Sequence, residues 1–447
     1  MYTTGSVPFS ERRKLMTSTA IITIGLVLVL AILGVPMWLA IVGGTLPFFL
    51  FLEPGLPSQL VVQRMIAMTE NSSYLAIPFF ITAGCIMNYS GISKRLMDLA
   101  DGLVGHLAGG LGHVNVVLSV LMGGISGSAA ADAAMESKIL VPEMERHGYD
   151  KEFSAAVTLA SSLITPIIPP GMGLIIFAFT TQISVGRMLC AGYIPGFLCM
   201  VLMMAYVGWY SKRHGYKGSR EKMASPKELG KLALDGIWAI LMPFGLILAL
   251  RVGALTATEA GAICAVYAAV VGIFIYKEIK WKHVWPIVKE SVLGTATIMS
   301  LVCACNALGY FMTYLRIPHA ISTMIINANL SKYSFLILVN VILLITGMFM
   351  EGSAPVLILS PLLMPVARSL GIDPIHFGLV FIFNIGIGNM TPPFGAVLYQ
   401  VAGLQNIPIG RLSKASLPFI GIMLIVLLLV TFIPQLSLFI PNLVYGA

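Results

Sequence analysis

Apolar segments separated by short polar ones fill the chain, near residues 17–33, 35–52, 74–90, 110–123, 153–183, 190–210, 232–250, 256–276, 291–314, 333–349, 374–403 and 416–440. None alternates apolar and polar positions as a barrel strand does, so all are predicted as helices, which satisfy their own backbone in lipid. Residues 153–186, 374–410 and 415–447 contain no Asp, Glu, Lys or Arg. The first two runs exceed the ~20 residues of one spanning helix, which predicts a helix and a break in each. Two polar stretches, 53–73 and 91–109, interrupt the first half. In the second, Lys94, Arg95, Asp98 and Asp101 oppose Leu96, Leu99, Leu103 and Val104. That pattern predicts a helix lying at the membrane interface, with a solvated loop as the alternative.

Composition narrows the class. Of 447 residues, 57% are hydrophobic and 10% charged, and the mean hydropathy is +0.91. Soluble domains carry roughly 25% charged residues, so a soluble globular enzyme is excluded. The net charge of +8 sits in short loops, which is membrane topology rather than a nucleic-acid footprint, and no nucleic-acid partner is expected. The loop 211–231 holds Lys212, Arg213, Lys217, Arg220, Lys222, Lys227 and Lys231; the loop 277–289 holds Lys277, Lys280, Lys282 and Lys289. Two apolar segments separate these loops, so both are predicted on the cytoplasmic side. Arg12, Arg13 and Lys14 precede the first apolar run with no small-residue cleavage site, which predicts a retained first helix. The six cysteines lie in apolar stretches without a CxxC pair and are read as small buried residues. His106, His113, His319 and His376 lack zinc-motif spacing and are read as structural.

The chain repeats itself. Pro142, Gly148 and Asp150 stand 223 positions before Pro365, Gly371 and Asp373; Pro169-Pro170 precede Pro392-Pro393, and Pro195 precedes Pro418, by the same interval. Gly127-Ser128-Ala129 precede Gly352-Ser353-Ala354 by 225, a two-residue gap. The halves are taken as 1–223 and 224–447. Secondary transporters are commonly built from such repeats, with binding sites where broken helices meet near mid-membrane. If the halves are inverted, each crosses an odd number of times, and a short apolar piece in each, such as 110–123 and 333–349 or their neighbours, is not an independent crossing.

Four stretches interrupt the apolar pattern with chemistry. GGISGSAAADAAM (123–135) predicts a re-entrant helical hairpin over about 124–147 with its tip near Ser126, Gly127 and Ser128, since non-helical backbone at that depth must line protein or a water-filled cavity. A GxxxG packing surface is the alternative; a phosphate loop lacks its lysine. SSLITPIIPPG (161–171) predicts a broken helix over about 153–183. Pro169 and Pro170 have no N–H and free the carbonyls of Thr165 and Pro166, beside the hydroxyls of Ser161, Ser162 and Thr165. Such oxygens suit a hard cation; a kinked structural helix is the alternative. GMFMEGSAPVLILSP (347–361) and NIGIGNMTPPFG (384–395) repeat the arrangement. They predict a hairpin over about 350–371, with Glu351, Gly352 and Ser353 at the tip, and a broken helix over about 374–403. There Pro392 and Pro393 free the carbonyls of Gly388 and Asn389, beside Thr391 and Asn384. Asp132 and Glu351 are the acids nearest the tips, and each either balances a bound cation or forms a structural salt bridge.

The segments LAIPFFITAGCIMNYSGISKRL, GHLAGGLGHVNVVLSVLMGGISGSAAADAA, IIPPG, GMFMEGSAPVLILSPLLMPVARSLGIDPIHFGLV and NMTPPFG strongly resemble the large membrane (M, DctM-type) subunit of tripartite ATP-independent periplasmic (TRAP) transporters, over about residues 20–440. The resemblance implies an all-α polytopic fold of two inverted repeats with re-entrant hairpins and broken helices, an elevator-type carrier like those of the ion-transporter superfamily. It further implies sodium-coupled uptake of an organic acid, such as sialic acid or a C4-dicarboxylate, across the inner membrane of a bacterium. The implied partners are a small Q-type membrane subunit and a periplasmic substrate-binding protein (the P subunit); sodium is the coupling ion, with no other metal and no cofactor. By motif, one sodium site comprises Ser126, Gly127, Ser128, Asp132, Ser161, Ser162 and Thr165. The other comprises Gly347, Gly352, Ser353, Gly388, Asn389, Thr391 and Phe394, largely through backbone carbonyls. The second hairpin reads Glu-Gly-Ser where many members have Asp followed by hydroxyl residues. Two rivals remain: a stand-alone sodium/dicarboxylate symporter, and an intramembrane hydrolase using Asp132 or Glu136, for which no paired catalytic motif speaks.

Overall fold

A computed structural model describes residues 33–52, 57, 59–123, 127–317, 331–350 and 352–446, with isolated positions between 22 and 30 and at 320 and 323. Most of the first apolar segment, Ser126, His319 and Glu351 lie outside the described residues. Among the described residues every regular element is helical. The helices are α1 (Met37–Pro47), α2 (Gln59–Thr69), α3 (Ala76–Tyr89), α4 (Ile92–Val104), α5 (Gly110–Gly123), α6 (Ala129–Arg146), α7 (Lys151–Ser162), α8 (Met172–Thr181), α9 (Val185–Ala191) and α10 (Tyr193–His214). The second half holds α11 (Pro226–Asp235), α12 (Ile237–Arg251), α13 (Ala257–Val270), α14 (Trp281–Tyr314), α15 (Lys332–Phe349), α16 (Ser353–Ser369), α17 (Pro374–Met390), α18 (Ala396–Gln405), α19 (Ile409–Phe432) and α20 (Gln435–Tyr445). Five described helices or helix runs are long and apolar enough to cross a membrane, and two bent pairs raise that to seven.

The polar stretch 91–109 folds as the expected amphipathic helix. Leu96, Leu99 and Ala100 of α4 are buried, and its ends are strapped to the two basic loops. Arg95 lies 3.8 Å over the Tyr276 ring and 4.0 Å from Glu278. At the other end Arg220 pairs with Asp101 at 2.6 Å and with Glu228 at 2.7 Å; these two acids hold the guanidinium pKa above its ordinary value. The loops therefore lie on one side of the molecule, as their separation by α12 and α13 requires. Arg251 and Glu259 flank the connection between those helices. Glu259 forms a capping box with Thr256.

Apolar helices gain little from burying one another in lipid, so close packing and buried polar contacts hold them. Gly378 makes room for the Phe177 ring, which a Cβ would approach to 2.5 Å. Phe177 in turn lies 5.3 Å from Phe381, joining α8 of the first half to α17 of the second. The last helix, α20, seals the same seam. Arg187 donates to Asn442 at 2.7 Å, His376 and Ser437 lie 2.8 Å apart, and a Cβ on Gly186 would overlap the Tyr445 hydroxyl. Five cysteines are buried and Cys85 is half-buried; all are free.

The helix pairs around the tips begin earlier than the motifs predicted. α5 and α6 flank the first tip, so the pair runs from Gly110 to Arg146 rather than from about 124; α15 and α16 make the second run from Lys332 rather than from about 350. The small-residue stretches are the turning points, not the starts. α5 has 14 residues, about 21 Å at 1.5 Å per residue, short of a ~30 Å hydrocarbon core.

Candidate functional site

In the first half the tip rests on the break. Gly127, at φ +57°, offers its carbonyl to the Met172 N–H at 3.3 Å, at the start of α8. A Cβ there would sit 2.6 Å from the Pro170 carbonyl oxygen, so the contact requires glycine. Ser128 caps α6, its hydroxyl accepting from the Ala131 N–H. This places Asp132 in the first helical turn, where the dipole favours an anion.

Break and tip then share a buried polar cluster. Thr165, in the turn that follows α7, donates to Asp132 Oδ2 at 2.5 Å and lies 3.2 Å from the Ser119 carbonyl. The second carboxylate oxygen of Asp132 is buried with no hydrogen-bond partner. Ser119 donates to Glu136 at 2.9 Å, Ser161 to the Asn115 side-chain carbonyl at 2.8 Å, and Asn115 to Thr158 at 2.6 Å. Asn115, Ser119, Glu136, Thr158, Ser161 and Thr165 are wholly buried. Of the predicted set, Gly127, Ser128, Asp132, Ser161 and Thr165 converge. Ser162 instead donates to Leu159 of its own helix at 2.9 Å, and Ser126 is outside the described residues. Pro169 and Pro170 are joined by a cis peptide, as are Pro392 and Pro393.

In the second half helix backbones meet directly. A Cβ on Gly388 would fall 2.6 Å from Gly347 Cα, so α15 and α17 touch at two glycines. Thr391 ends α17. Its N–H bonds the Gly388 carbonyl at 2.9 Å and its hydroxyl donates to Ile387 at 2.6 Å. The expectation that Gly388 keeps a free carbonyl is thus corrected, because Thr391 replaces the donor that Pro392 lacks by closing a tighter turn. Pro393 leaves Asn389 without its usual donor, and the Asn389 side-chain carbonyl oxygen is buried without a partner. Gly352, at φ +48°, stands open, a Cβ there meeting nothing within 4 Å; Ser353 begins α16. Phe394 is 56% exposed, its ring 5.2 Å from that of Phe349.

One pairing escaped the sequence motifs. Asn384 donates to the Asn340 side-chain carbonyl at 2.6 Å, and Asn340 to Thr431 at 3.0 Å. Asn340 follows Asn115 by 225 positions and Asn384 follows Ser161 by 223, the intervals of the repeat. A polar pair at this place therefore ties the hairpin to the broken helix in both halves. The repeat interval was the available signal.

Residues 24–436 match the family described as tripartite ATP-independent periplasmic transporter, DctM component. Among curated proteins the chain is 34% identical to the sialic acid TRAP transporter large permease protein SiaM of Vibrio cholerae, covering 92% of this chain and 96% of that one. It is 35% identical to the C4-dicarboxylate large permease DctM of Pseudomonas aeruginosa, covering 89% and 92%. It is also 35% identical to the isethionate permease DctMQ of Oleidesulfovibrio alaskensis, covering 86% of this chain but 60% of that longer protein. Among solved structures, the YdaH transporter of Alcanivorax borkumensis shares the fold at a TM-score of 0.61 and 15% identity, covering 83% of this chain and 86% of that one.

Proposed function

Because the chain belongs to the DctM component family of tripartite ATP-independent periplasmic transporters, we propose that it is the large subunit of a sodium-coupled carrier in a bacterial inner membrane. It takes up an organic acid delivered by a periplasmic binding protein, together with a separate Q-type subunit. The observation that carries the proposal is that each half packs the helices flanking its tip against its proline-broken helix, at the tip itself through Gly127 on Met172 and, below an open tip, through Gly347 on Gly388.

One sodium ion binds among Gly127, Ser128, Asp132, Ser161 and Thr165, with Ser126 and Ser162 adjoining, where a buried carboxylate oxygen lacks a partner. A second binds through the backbone around Gly347, Gly388, Asn389, Thr391 and Phe394, beside Gly352 and Ser353. Both sets offer only oxygen, as a hard cation requires. The substrate carboxylate lies between the tips, facing the N-termini of α6 and α16, whose unpaired N–H groups favour anions. The relatives named for sialic acid and C4-dicarboxylates support a carboxylate cargo.

The halves are inverted repeats. Support comes from the base of the first hairpin at Arg146, which leads directly into the start of α7 at Lys151, and from Arg368 at the base of the second, which reaches the Thr181 carbonyl at the far end of α8. The two hairpin bases thus neighbour opposite ends of one broken helix. Hairpins and broken helices form a moving transport domain against a scaffold, and sodium and the docked binding protein bias the outward and inward populations.

The test is uptake into vesicles containing this chain, its Q-type partner and the binding protein. Uptake is expected to require an inward sodium gradient. A rate unchanged without sodium overturns the coupling, and full uptake without the binding protein favours the stand-alone symporter.

A further inference from the structure

α6 carries a cation, Lys138, between the tip and the hairpin base. That base is fastened to the basic loop 211–231, Tyr149 donating to the Lys217 carbonyl at 2.9 Å and Tyr216 to Asp150 at 2.7 Å. α6 therefore runs from the tip at Gly127 toward the side of that loop, which its charge makes cytoplasmic. Lys138 stands nine residues beyond Ala129, about 14 Å along the axis at 1.5 Å per residue, and is exposed. Among the described residues no acid pairs with it; Glu145, seven residues on and on the same face, is held by Lys151 at 3.8 Å. An unpaired ammonium within a membrane bundle is costly and marks a water-filled path by default.

Such a path borders the lysine. α6 lies beside α18, and two amides cross the seam between them. Gln400 donates to the Ala130 carbonyl at 3.2 Å and Gln405 to the Ser137 carbonyl at 2.5 Å. α18 ends on the same side as α6, since Arg411, shortly beyond it, lies 3.7 Å from Glu152. Next to the seam, Ala131, Ala134 and Lys138 recur at the three- and four-residue spacing of one helix face, and none of the three is buried. On α18 Tyr399 is 43% exposed, and a Cβ on Gly403, four residues on, would meet nothing within 4 Å. Small residues on both helices thus leave a groove that starts at the first turn of α6 and passes one cation. The second half has no equivalent charge, the positions 223 and 225 beyond Lys138 being Pro361 and Leu363.

We infer that the groove between α6 and α18 is the route by which a carboxylate cargo leaves the tips for the cytoplasm, and that Lys138 is the anion-binding step along it. This rests on the carboxylate cargo proposed above and names the group that the cargo meets after release. A single exposed ammonium holds a carboxylate weakly, so Lys138 draws the anion away from the tips without retaining it. The charge is needed on this side alone: a binding protein delivers the anion from the other side, whereas no partner receives it here.

The experiment introduces Ala134→Cys, one helical turn tipward of Lys138, into the full-length chain and measures its modification in inside-out membrane vesicles. The probes are membrane-impermeant methanethiosulfonates, one bearing a sulfonate and one a trimethylammonium. Wild-type vesicles give the background of the native thiols, five of them buried and one half-buried. Both probes are expected to react, the anionic one favoured over the cationic one relative to a free thiol in solution. Adding Lys138→Gln is expected to lower that ratio about fivefold, the effect of one unit charge a few ångströms away in water. Raising potassium chloride is expected to lower the ratio in the single variant and to leave it unchanged in the double variant. No reaction at Ala134→Cys overturns the inference, because the face then lies against lipid or protein. A ratio indifferent to Lys138→Gln also overturns it, because the ammonium then reaches the lipid headgroups instead of the path. If the double variant does not accumulate, the single variant decides, and a ratio that does not respond to salt is the opposing result. None of these measurements requires sodium or the binding protein, so their failure and the failure of the coupling in the uptake assay are read separately.

Discussion

Thr165 and Gly388 occupy matching positions 223 apart in the two halves, yet their surroundings differ in kind. Around Thr165 every residue from Ser161 to Thr165 is buried, a carboxylate accepts its hydroxyl proton, and the tip is hydrogen-bonded to the next helix through Gly127. Around Gly388 the contact is backbone against backbone, the tip at Gly352 is open, and Pro393 and Phe394 face outward. Position 357, which matches Asp132 at the upstream interval, is Leu357. One backbone scheme thus sets a buried carboxylate at the break in one half and backbone against backbone in the other. A carboxylate binds strongly but must stay paired; carbonyls bind more weakly and are neutral when empty. Under the proposed sodium coupling, the first half is suited to holding an ion and the second to exchanging one.

The largest effects should come from breaking this contrast at its charge. Asp132→Ala leaves Thr165 only its longer contact to the Ser119 carbonyl and removes the anion. Sodium-driven uptake is expected to fall by at least about tenfold, the equivalent of ~1.4 kcal/mol, whereas Thr391→Ala should cost only a few-fold. Equal losses in parallel vesicle assays would dissolve the distinction. Next come the tips. Gly127→Ala and Gly352→Ala both place an L side chain at positive φ, at about 1–2 kcal/mol, but only the first also collides with the Pro170 carbonyl, adding about 1–3 kcal/mol of overpacking. Thermal unfolding should rank Gly127→Ala well below Gly352→Ala.

The halves should agree where they are alike. Asn115→Ala and Asn340→Ala each strand buried partners and should destabilise by similar amounts, about 1–3 kcal/mol; a marked inequality in unfolding temperature would show that the repeat is not energetically symmetric there. The smallest effect is expected from Phe394→Ala, which loses one half-exposed ring contact worth about 0.5–1 kcal/mol. A larger loss, seen only in the assembled transporter, would place a partner surface on that ring.

Much of this was legible in the residues. Proline acts on the backbone through a missing N–H, so Pro169-Pro170 and Pro392-Pro393 announce interruptions whatever surrounds them. The amphipathic order of Lys94, Leu96, Asp98 and Leu99 likewise marks α4, because solvent and core impose it directly. The positions 223 apart that begin α7 and α17, Lys151 and Pro374, show how well the interval tracked the fold. What stayed hidden depends on a second helix. Asn115 within VNVVL looks the same whether it meets Ser161 or faces lipid, and Ser162 reads as a ligand until its hydroxyl is found bonded to its own helix. The carbonyl of Gly388 needed the actual turn at Thr391, since a proline that removes one donor says nothing about which N–H takes its place. Helix starts were misplaced because a glycine-rich turn looks like an entrance when it is a reversal.

The seam closed by α20 bears on how the molecule is made. Residues 435–445 are synthesised long after the 185–191 segment they cover, with the whole second half emerging in between. Until then Gly186 and Arg187 lack the partners that Tyr445 and Asn442 provide. The contacts of the 185–191 segment are therefore completed only by a helix from the other half, so its packing is a property of both halves together.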